Sequence, residues 1–159
     1  PNRCGIQFLP VALQSHKPLD LVAICLGTND CKAHFHASPR MIAKGAERLV
    51  KTIQSYDYGA GVPAPKILLI SPIHIGDEVE HSPYASFDSA SPAKSRALAP
   101  FYKEVADQYG CLYLDASKVA EPSGLDQLHM EEEGHKALAE AVKDVIEEYF
   151  ADNGEKQGK

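Results

Sequence analysis

The stretch LDLVAICLG, residues 19–27, is nearly all apolar and lies between Pro18 and the turn that begins at Gly27. A β-strand that is buried on both faces has this composition, because helices cover both sides of a parallel sheet. KILLISP (66–72) repeats the pattern, and CLYLD (111–115) is a shorter third example. The sequence therefore predicts three strands of one sheet.

Helical segments alternate with these strands. Apolar residues recur at helical spacing, which predicts helices at residues 6–16, 38–56, 94–109 and 131–150. The alternation indicates an α/β fold with a parallel sheet and right-handed crossovers. We expect one domain over residues 1–150 and a polar, disordered tail at 151–159. Three strands make a thin sheet for two helical layers, which suggests that part of the sheet is missing.

Bulk composition excludes several classes of protein. The chain has 159 residues and a net charge of −6 without a basic cluster, which argues against nucleic-acid binding. No apolar run is long enough for a membrane helix. The four cysteines form no CxxC pair, so we expect reduced thiols and a cytoplasmic protein. Because the sequence begins with Pro1, the absence of a signal peptide is no evidence about export.

Three segments follow the carboxyl ends of the predicted strands, where ligands bind in open parallel sheets. They are GTND (27–30), the Ser-, Pro-, Asp- and His-rich loop 72–93, and the connection 115–130, which carries GLDQLHM. A loop as long as 72–93 is usually functional or mobile. We therefore look for a site at this edge of the sheet.

Asp126 and His129 are the first candidate pair. Residues three apart share one face of a helix or turn, so Asp126 can accept a hydrogen bond from one imidazole nitrogen. The other nitrogen is then free to take a proton from a nucleophile. A surface carboxylate beside a solvent-facing histidine is the alternative that the spacing leaves open.

GTND is the second candidate. Gly27 permits a tight exit from the strand, and Asn29 offers amide donors where an oxyanion could develop. A turn in which Asn29 and Asp30 cap the backbone is the alternative.

Together, GTND (27–30) and DQLH (126–129) resemble two motifs of the SGNH hydrolases, the GDSL-type esterases and lipases. GTND matches the G-x-N-D block of that family, and DQLH matches its D-x-x-H block. KILLISP and the EGHKALAEAV that follows His129 are also similar to bacterial esterases of the family. The resemblance covers roughly residues 1–150, with both motifs in the family's order.

The resemblance implies a flavodoxin-like, three-layer αβα sandwich with a parallel sheet. His129 would be the general base, Asp126 its orienting carboxylate, and Asn29 with Gly27 the oxyanion hole. The reaction would be hydrolysis of a small acyl ester through an acyl-enzyme, with no metal and no cofactor. Members of similar appearance often assemble, so the resemblance leaves room for a homo-oligomer.

The chain departs from the family at its nucleophile. The GDS block that carries the catalytic serine is absent, and Ser15 is the only serine before Gly27. Gly5 cannot be assigned as the second-block glycine. We therefore expect the serine on a separate N-terminal segment or subunit that covers the edge of strand 19–26, and an inactive chain without it. That segment would be a second pairing partner of the strand, because an open apolar edge promotes association.

Weaker nucleophile candidates lie within the chain. Ser71 ends a strand at the active edge, but Pro72 follows it and no helix N-terminus is present there. Ser89 belongs to a DS dipeptide that no strand precedes, and Cys31 follows GTND.

The remaining histidines are assigned as follows. His74 and His81 of the long loop are candidates for substrate contact, with His74 preferred. His135 competes with His129 as base but lies within the last predicted helix, so packing is expected. A metal hydrolase is a further hypothesis, with ligands Asp30, His34 and His36. A non-catalytic interaction domain that retains the scaffold is the alternative from another class.

Overall fold

The computed structural model describes residues 4–84 and 86–157. Its helices and strands, in chain order, are α1 (Gly5–His16), β1 (Leu21–Cys25), α2 (Pro39–Ser55), β2 (Lys66–Ser71), α3 (Ser91–Arg96), α4 (Leu98–Gln108), β3 (Leu112–Asp115) and α5 (Glu132–Gln157). Short 3-10 turns occupy Thr28–Cys31, Ala33–Phe35, Val79–His81 and Ala116–Lys118. The predicted alternation of helices with three strands is confirmed.

The three strands form one parallel sheet in the order β1-β2-β3. β2 is the central strand, and its residues from Ile67 to Ser71 are all buried. Because successive side chains alternate between faces, Leu69 joins the core on one side of the sheet and Leu68 joins the core on the other. The structure is therefore the predicted α/β sandwich.

Two unequal layers cover the sheet. On one face, α1, α2 and α4 pack around Leu13, Ile24, Val50, Ile53, Leu69, Leu98 and Tyr102. On the other face, α5 is the one α-helix among residues 4–84 and 86–157 that packs against β3 and its neighbours, through Leu138, Val142 and Val145. The second layer is thus narrower than the first.

β1 corrects one prediction. The apolar stretch 19–27 predicts burial on both faces, but only Ile24 of β1 is buried, whereas Ala23 and Cys25 are exposed. β1 pairs with β2 on one side, and no strand of the described residues pairs with its other side. By strand alternation, Ala23 and Cys25 lie on the face of the sheet that carries α5, and both are exposed there. The uncovered edge and the uncovered face are therefore adjacent.

Helix ends follow local chemistry. α2 begins at Pro39, and the Ser38 hydroxyl accepts a hydrogen bond from the Met41 amide at 3.3 Å, as its N-cap role requires. α1 begins at Gly5, so Pro10 lies inside it rather than in its first turn and leaves one helical hydrogen bond unmade. The single helix predicted over 94–109 is two helices that meet at Ala97.

α5 is longer than its apolar pattern predicts. It continues to Gln157, so residues 151–157 are helical where the sequence predicts a disordered tail, and residues 158–159 lie outside the described ranges. The sequence pattern does not predict this extension, because it carries no apolar stripe and contains Gly154, which disfavours a helix. Across the described residues, no helix combines the length and apolar character needed to span a bilayer.

Candidate active site

Residues 123–129 form a closed turn that presents the predicted pair. Ser123 closes it at both backbone groups: its amide donates to the His129 carbonyl at 2.6 Å, and its carbonyl accepts from the Gln127 amide at 2.8 Å. Inside the turn, Asp126 Oδ1 accepts from the amides of Leu128 and His129, both at 2.9 Å. The pair therefore lies on a capped turn rather than on a helix.

Asp126 also holds the imidazole. His129 Nδ1 donates to Asp126 Oδ2 at 2.7 Å, because an ionised carboxylate can only accept. Nε2 has no hydrogen-bond partner within the described residues, and the His129 side chain is 62% exposed. The ring is thus held in the tautomer whose free nitrogen can accept a proton.

The electrostatics of Asp126 suit this role. Burial acts to raise the pKa of Asp126, but hydrogen bonds from the amide and ring of His129 and from the Leu128 amide outweigh it and lower the pKa below its ordinary value. The carboxylate therefore remains ionised at neutral pH and can stabilise an imidazolium on His129.

A cavity of about 260 Å³ lies at the carboxyl ends of β1 and β2, beside the dyad. Its lining is mainly apolar and consists of Cys25, Thr28, Asn29, Pro72, Ile73, Ala116, Leu128, His129, Met130, His135 and Leu138. Asn29 follows β1 in an exposed 3-10 turn, and its side-chain amide has no hydrogen-bond partner within the described residues. The structure thus places a free amide donor and a free imidazole nitrogen around one cavity.

Gly27 has a conformational role at the end of β1. Its φ is +131°, and a Cβ there would lie 2.3 Å from the Tyr102 hydroxyl oxygen, which donates to the Leu26 carbonyl at 2.7 Å. Gly27 lines the adjoining cavity of about 560 Å³ along β1 rather than the one beside His129. Its contribution to an oxyanion hole stays a prediction.

Serines considered from the sequence do not line the His129 cavity. Ser71 is buried, and its hydroxyl lies 3.1 Å from the Tyr113 hydroxyl and 3.3 Å from Asp115 Oδ1. Ser15 is exposed on α1 and donates to the Val11 carbonyl. Ser89 is exposed in the loop before α3. No serine of the described residues therefore lines the cavity beside His129.

The structure also does not support Cys31 as a nucleophile or the proposed metal site. Burial raises the pKa of the buried Cys31 thiol to about 11, so this thiol is not a nucleophile at neutral pH. Within the described residues, no three His, Cys, Asp or Glu side chains are placed to hold a metal ion, so Asp30, His34 and His36 do not converge.

Two histidines differ from their sequence-based assignments. His74 is half-buried but does not line the cavity beside His129, so its proposed substrate contact has no geometric support there. His135, assigned to packing, lines that cavity.

Sequence reasoning missed three further residues of the site. Cys25 and Thr28 line the cavity, and the Tyr84 ring lies 5.4 Å from the His129 ring at an interplanar angle of 66°. The position of Cys25 at a strand end could have indicated its place. No sequence signal indicates Tyr84, because its contact depends on the path of the long loop.

The chain belongs to the GDSL-like lipase/acylhydrolase family, whose pattern it matches over residues 3–137. This is the class that the parallel sheet and the dyad beside its carboxyl edge define. Comparison with curated proteins gives no significant match.

Solved structures of esterases are similar over most of the chain. The carbohydrate acetylesterase Est24 from Sinorhizobium meliloti is 35% identical with a TM-score of 0.83, over 91% of this chain and 68% of that one. The native aryl esterase of M. smegmatis is 33% identical with a TM-score of 0.82, over 91% of this chain and 67% of that one. A putative arylesterase from Agrobacterium tumefaciens is 32% identical with a TM-score of 0.76, over 89% of this chain and 68% of that one. The chain thus spans about two thirds of the length of these structures.

Proposed function

We propose that this chain is the general-base part of a serine ester hydrolase whose nucleophile lies on a further segment packed against β1. One observation carries the proposal: His129 Nδ1 donates to Asp126 Oδ2 at 2.7 Å, while His129 and Asn29 line one cavity. A carboxylate-oriented imidazole beside amide donors is the arrangement that acyl transfer requires.

The chemistry follows from these positions. His129 Nε2 takes the proton of a serine hydroxyl as the serine oxygen attacks the ester carbonyl carbon, and Asp126 stabilises the imidazolium. The Asn29 amide donates to the oxyanion. His129 then returns the proton to the departing alcohol, which leaves an acyl-enzyme. A water molecule activated by the same imidazole hydrolyses the acyl-enzyme and restores the serine.

The sheet supports the position of the nucleophile. Parallel strands end at a common edge, so a strand added outside β1 would end beside Cys25, Thr28 and Asn29. A serine directly after that strand would face the cavity beside His129. A helix following it would cover the exposed faces of Ala23 and Cys25, because right-handed crossovers alternate strands with covering helices.

The substrate is proposed to carry a short acyl group. A cavity of about 260 Å³ with a mostly apolar lining has room for a small acyl chain. The similar structures include a carbohydrate acetylesterase and an aryl esterase. Aryl acetates and acetylated sugars are therefore the first substrates to compare.

The proposal is tested by steady-state hydrolysis of both substrates. The enzyme is the protein expressed from the whole reading frame that contains this chain, which we call the full-length protein. We expect turnover of at least one, and a loss of about 10³-fold in kcat for His129→Gln. His16→Gln, an exposed histidine at the end of α1, is the matched control and should retain activity. A correctly folded full-length protein that hydrolyses neither ester would favour the interaction-domain alternative.

A further inference from the structure

We propose that Tyr84 and Gln127 are positioning residues, through which loop residues 76–84 orient the imidazole of His129. The consequence for turnover rests on the function proposed above, whereas the effect on the imidazole does not. The proposal adds a second support for the dyad, from a loop that is distant in sequence.

The His129 ring needs a second support because its side chain is 62% exposed. The bond to Asp126 holds one ring atom, and a single hydrogen bond does not fix the plane of the ring. The edge-to-face contact with Tyr84 supplies a contact on the ring itself, with centroids 5.4 Å apart. Aromatic pairs favour this geometry.

Tyr84 is itself held by a local turn. Its amide donates to the Ser82 hydroxyl oxygen at 3.2 Å, and its carbonyl accepts from the Phe87 amide at 3.0 Å. The Ser82 hydroxyl donates to the carbonyl of Val79 at 2.6 Å, and both Val79 and Phe87 are buried in the core. The backbone that carries the Tyr84 ring is therefore joined to the buried part of the loop.

Gln127 joins the same loop to the centre of the dyad turn. It adopts a left-handed φ of +63°, which few residues other than glycine and asparagine favour. Its carbonyl accepts from the Gly76 amide at 2.8 Å, and its side-chain Oε1 accepts from the Glu78 amide at 3.4 Å. The residue next to Asp126 is thus bonded to the loop by backbone and side chain together.

Gly76 leaves the space that this contact occupies. A Cβ at Gly76 would lie 2.0 Å from Gln127 Oε1 and 2.8 Å from its Cδ. Gly76 has no positive φ, so alanine there is unstrained in its backbone and acts only by displacing Gln127. Gly76→Ala is therefore a specific probe of the loop contact.

Imidazole ¹⁵N shifts of His129 in the full-length protein test the orientation without any need for turnover. Wild-type protein should show the Nδ1–H tautomer, which Tyr84→Leu and Gly76→Ala should each populate less. Tyr84→Phe keeps the ring and should match wild type. Tyr56→Leu, at the opposite end of the sheet, is the control for loss of a tyrosine and should also match it.

Turnover provides the second readout. We expect Tyr84→Leu and Gly76→Ala to lower kcat by about tenfold with KM nearly unchanged, because small misplacements of a base cost rate rather than binding. If Gly76→Ala fails to fold, Gln127→Asn replaces it, since asparagine tolerates the left-handed φ but is too short to reach Glu78. A wild-type tautomer population in Tyr84→Leu, or in the loop-contact variant, overturns the proposal, even if the full-length protein hydrolyses no ester.

Discussion

At the scale of single residues, Asp126 uses its two oxygens for different purposes. Oδ1 accepts from two backbone amides and shapes the turn, while Oδ2 accepts from His129 Nδ1. One side chain thus links the fold of residues 123–129 to the protonation state of the base. The two purposes can be separated by substitution.

Asp126→Asn should separate them. The asparagine oxygen can still accept from the Leu128 and His129 amides, so we expect the free energy of unfolding to change by less than about 1 kcal/mol. Its amide would donate to His129 Nδ1 and favour the tautomer whose Nε2 already carries a proton. We expect kcat of the full-length protein on an aryl acetate to fall by about 10³-fold or more.

Asp126→Ala is the companion variant, because it loses the turn bonds as well. It should match Asp126→Asn in kcat and be less stable by a further ~1–2 kcal/mol in urea unfolding. Retention of kcat within tenfold of wild type in Asp126→Asn would contradict the orienting role.

The spacing of Asp126 and His129 predicted their contact because a turn of four residues is a local structure. The neighbours of His129 were not predictable in the same way. Tyr84 reaches it through a loop, and His135 and Thr28 reach its cavity through the packing of α5 and the exit of β1. These contacts depend on tertiary paths that no short pattern encodes.

At the scale of elements, the end of β1 requires a glycine at position 27. Gly27→Ala would place its Cβ against the Tyr102 hydroxyl and force a positive φ on alanine. We expect a loss of about 3 kcal/mol in the free energy of unfolding, measured by urea titration.

Gly45→Ala in α2 is the matched control. A Cβ there meets nothing within 4 Å, so the change should stabilise the protein by about 0.5–1 kcal/mol. In a Tyr102→Phe background, which lacks the clashing oxygen, Gly27→Ala should cost less than in wild type. Equal effects of alanine at both glycines would refute this account of Gly27.

The buried Glu47 on α2 gives the fold an acid-sensitive element. Its carboxylate accepts from Lys44 at 2.5 Å, from Lys51 at 2.8 Å and from the Tyr109 hydroxyl at 2.7 Å. These bonds, that of Lys44 first, lower the pKa of Glu47 to about 2. A lowered folded-state pKa contributes stability above the unfolded-state pKa of about 4.3, and this stability is lost as the pH falls toward about 2.

Glu47→Gln should therefore be less stable than wild type near neutral pH, and the difference should shrink between about pH 5 and about pH 2. Urea unfolding at several pH values measures it. Glu104→Gln is the control, because that carboxylate is exposed and lies 3.8 Å from Arg40. A difference for Glu47→Gln that does not change with pH would contradict the assigned bonds.

The elements with continuous patterns were predicted well, and the break between α3 and α4 was not. The N-cap of α2 and the central strand β2 follow from Ser38, Pro39 and an unbroken apolar run. The break at Ala97 was missed although it has a local cause: Pro100, in the first turn of α4, has no N–H to donate to the Arg96 carbonyl, and apolar periodicity does not register this.

At the scale of the whole molecule, β1 has an uncovered edge and an uncovered face. The composition of residues 19–27 indicates an interior strand, yet Ala23 and Cys25 are exposed. The apolar composition of this strand therefore suits cover on both faces, and the described residues cover only one of them. A segment that pairs with β1 and covers these side chains reconciles the two observations.

Thiol labelling tests this covering. Cys25 should react with a maleimide in the 159-residue chain and be protected in the full-length protein, as read by peptide mass spectrometry. Cys31, which is fully buried, is the internal control and should be protected in both. Equal reactivity of Cys25 in both proteins would show that nothing covers this face of β1.

The origin of the nucleophile is the central claim, and labelling of the full-length protein with a serine-directed fluorophosphonate tests it most directly. The account predicts one labelled serine that lies outside the 159 residues of this chain, and no label in His129→Gln. A label on a serine of this chain, or on Thr28 or Cys25, would contradict it.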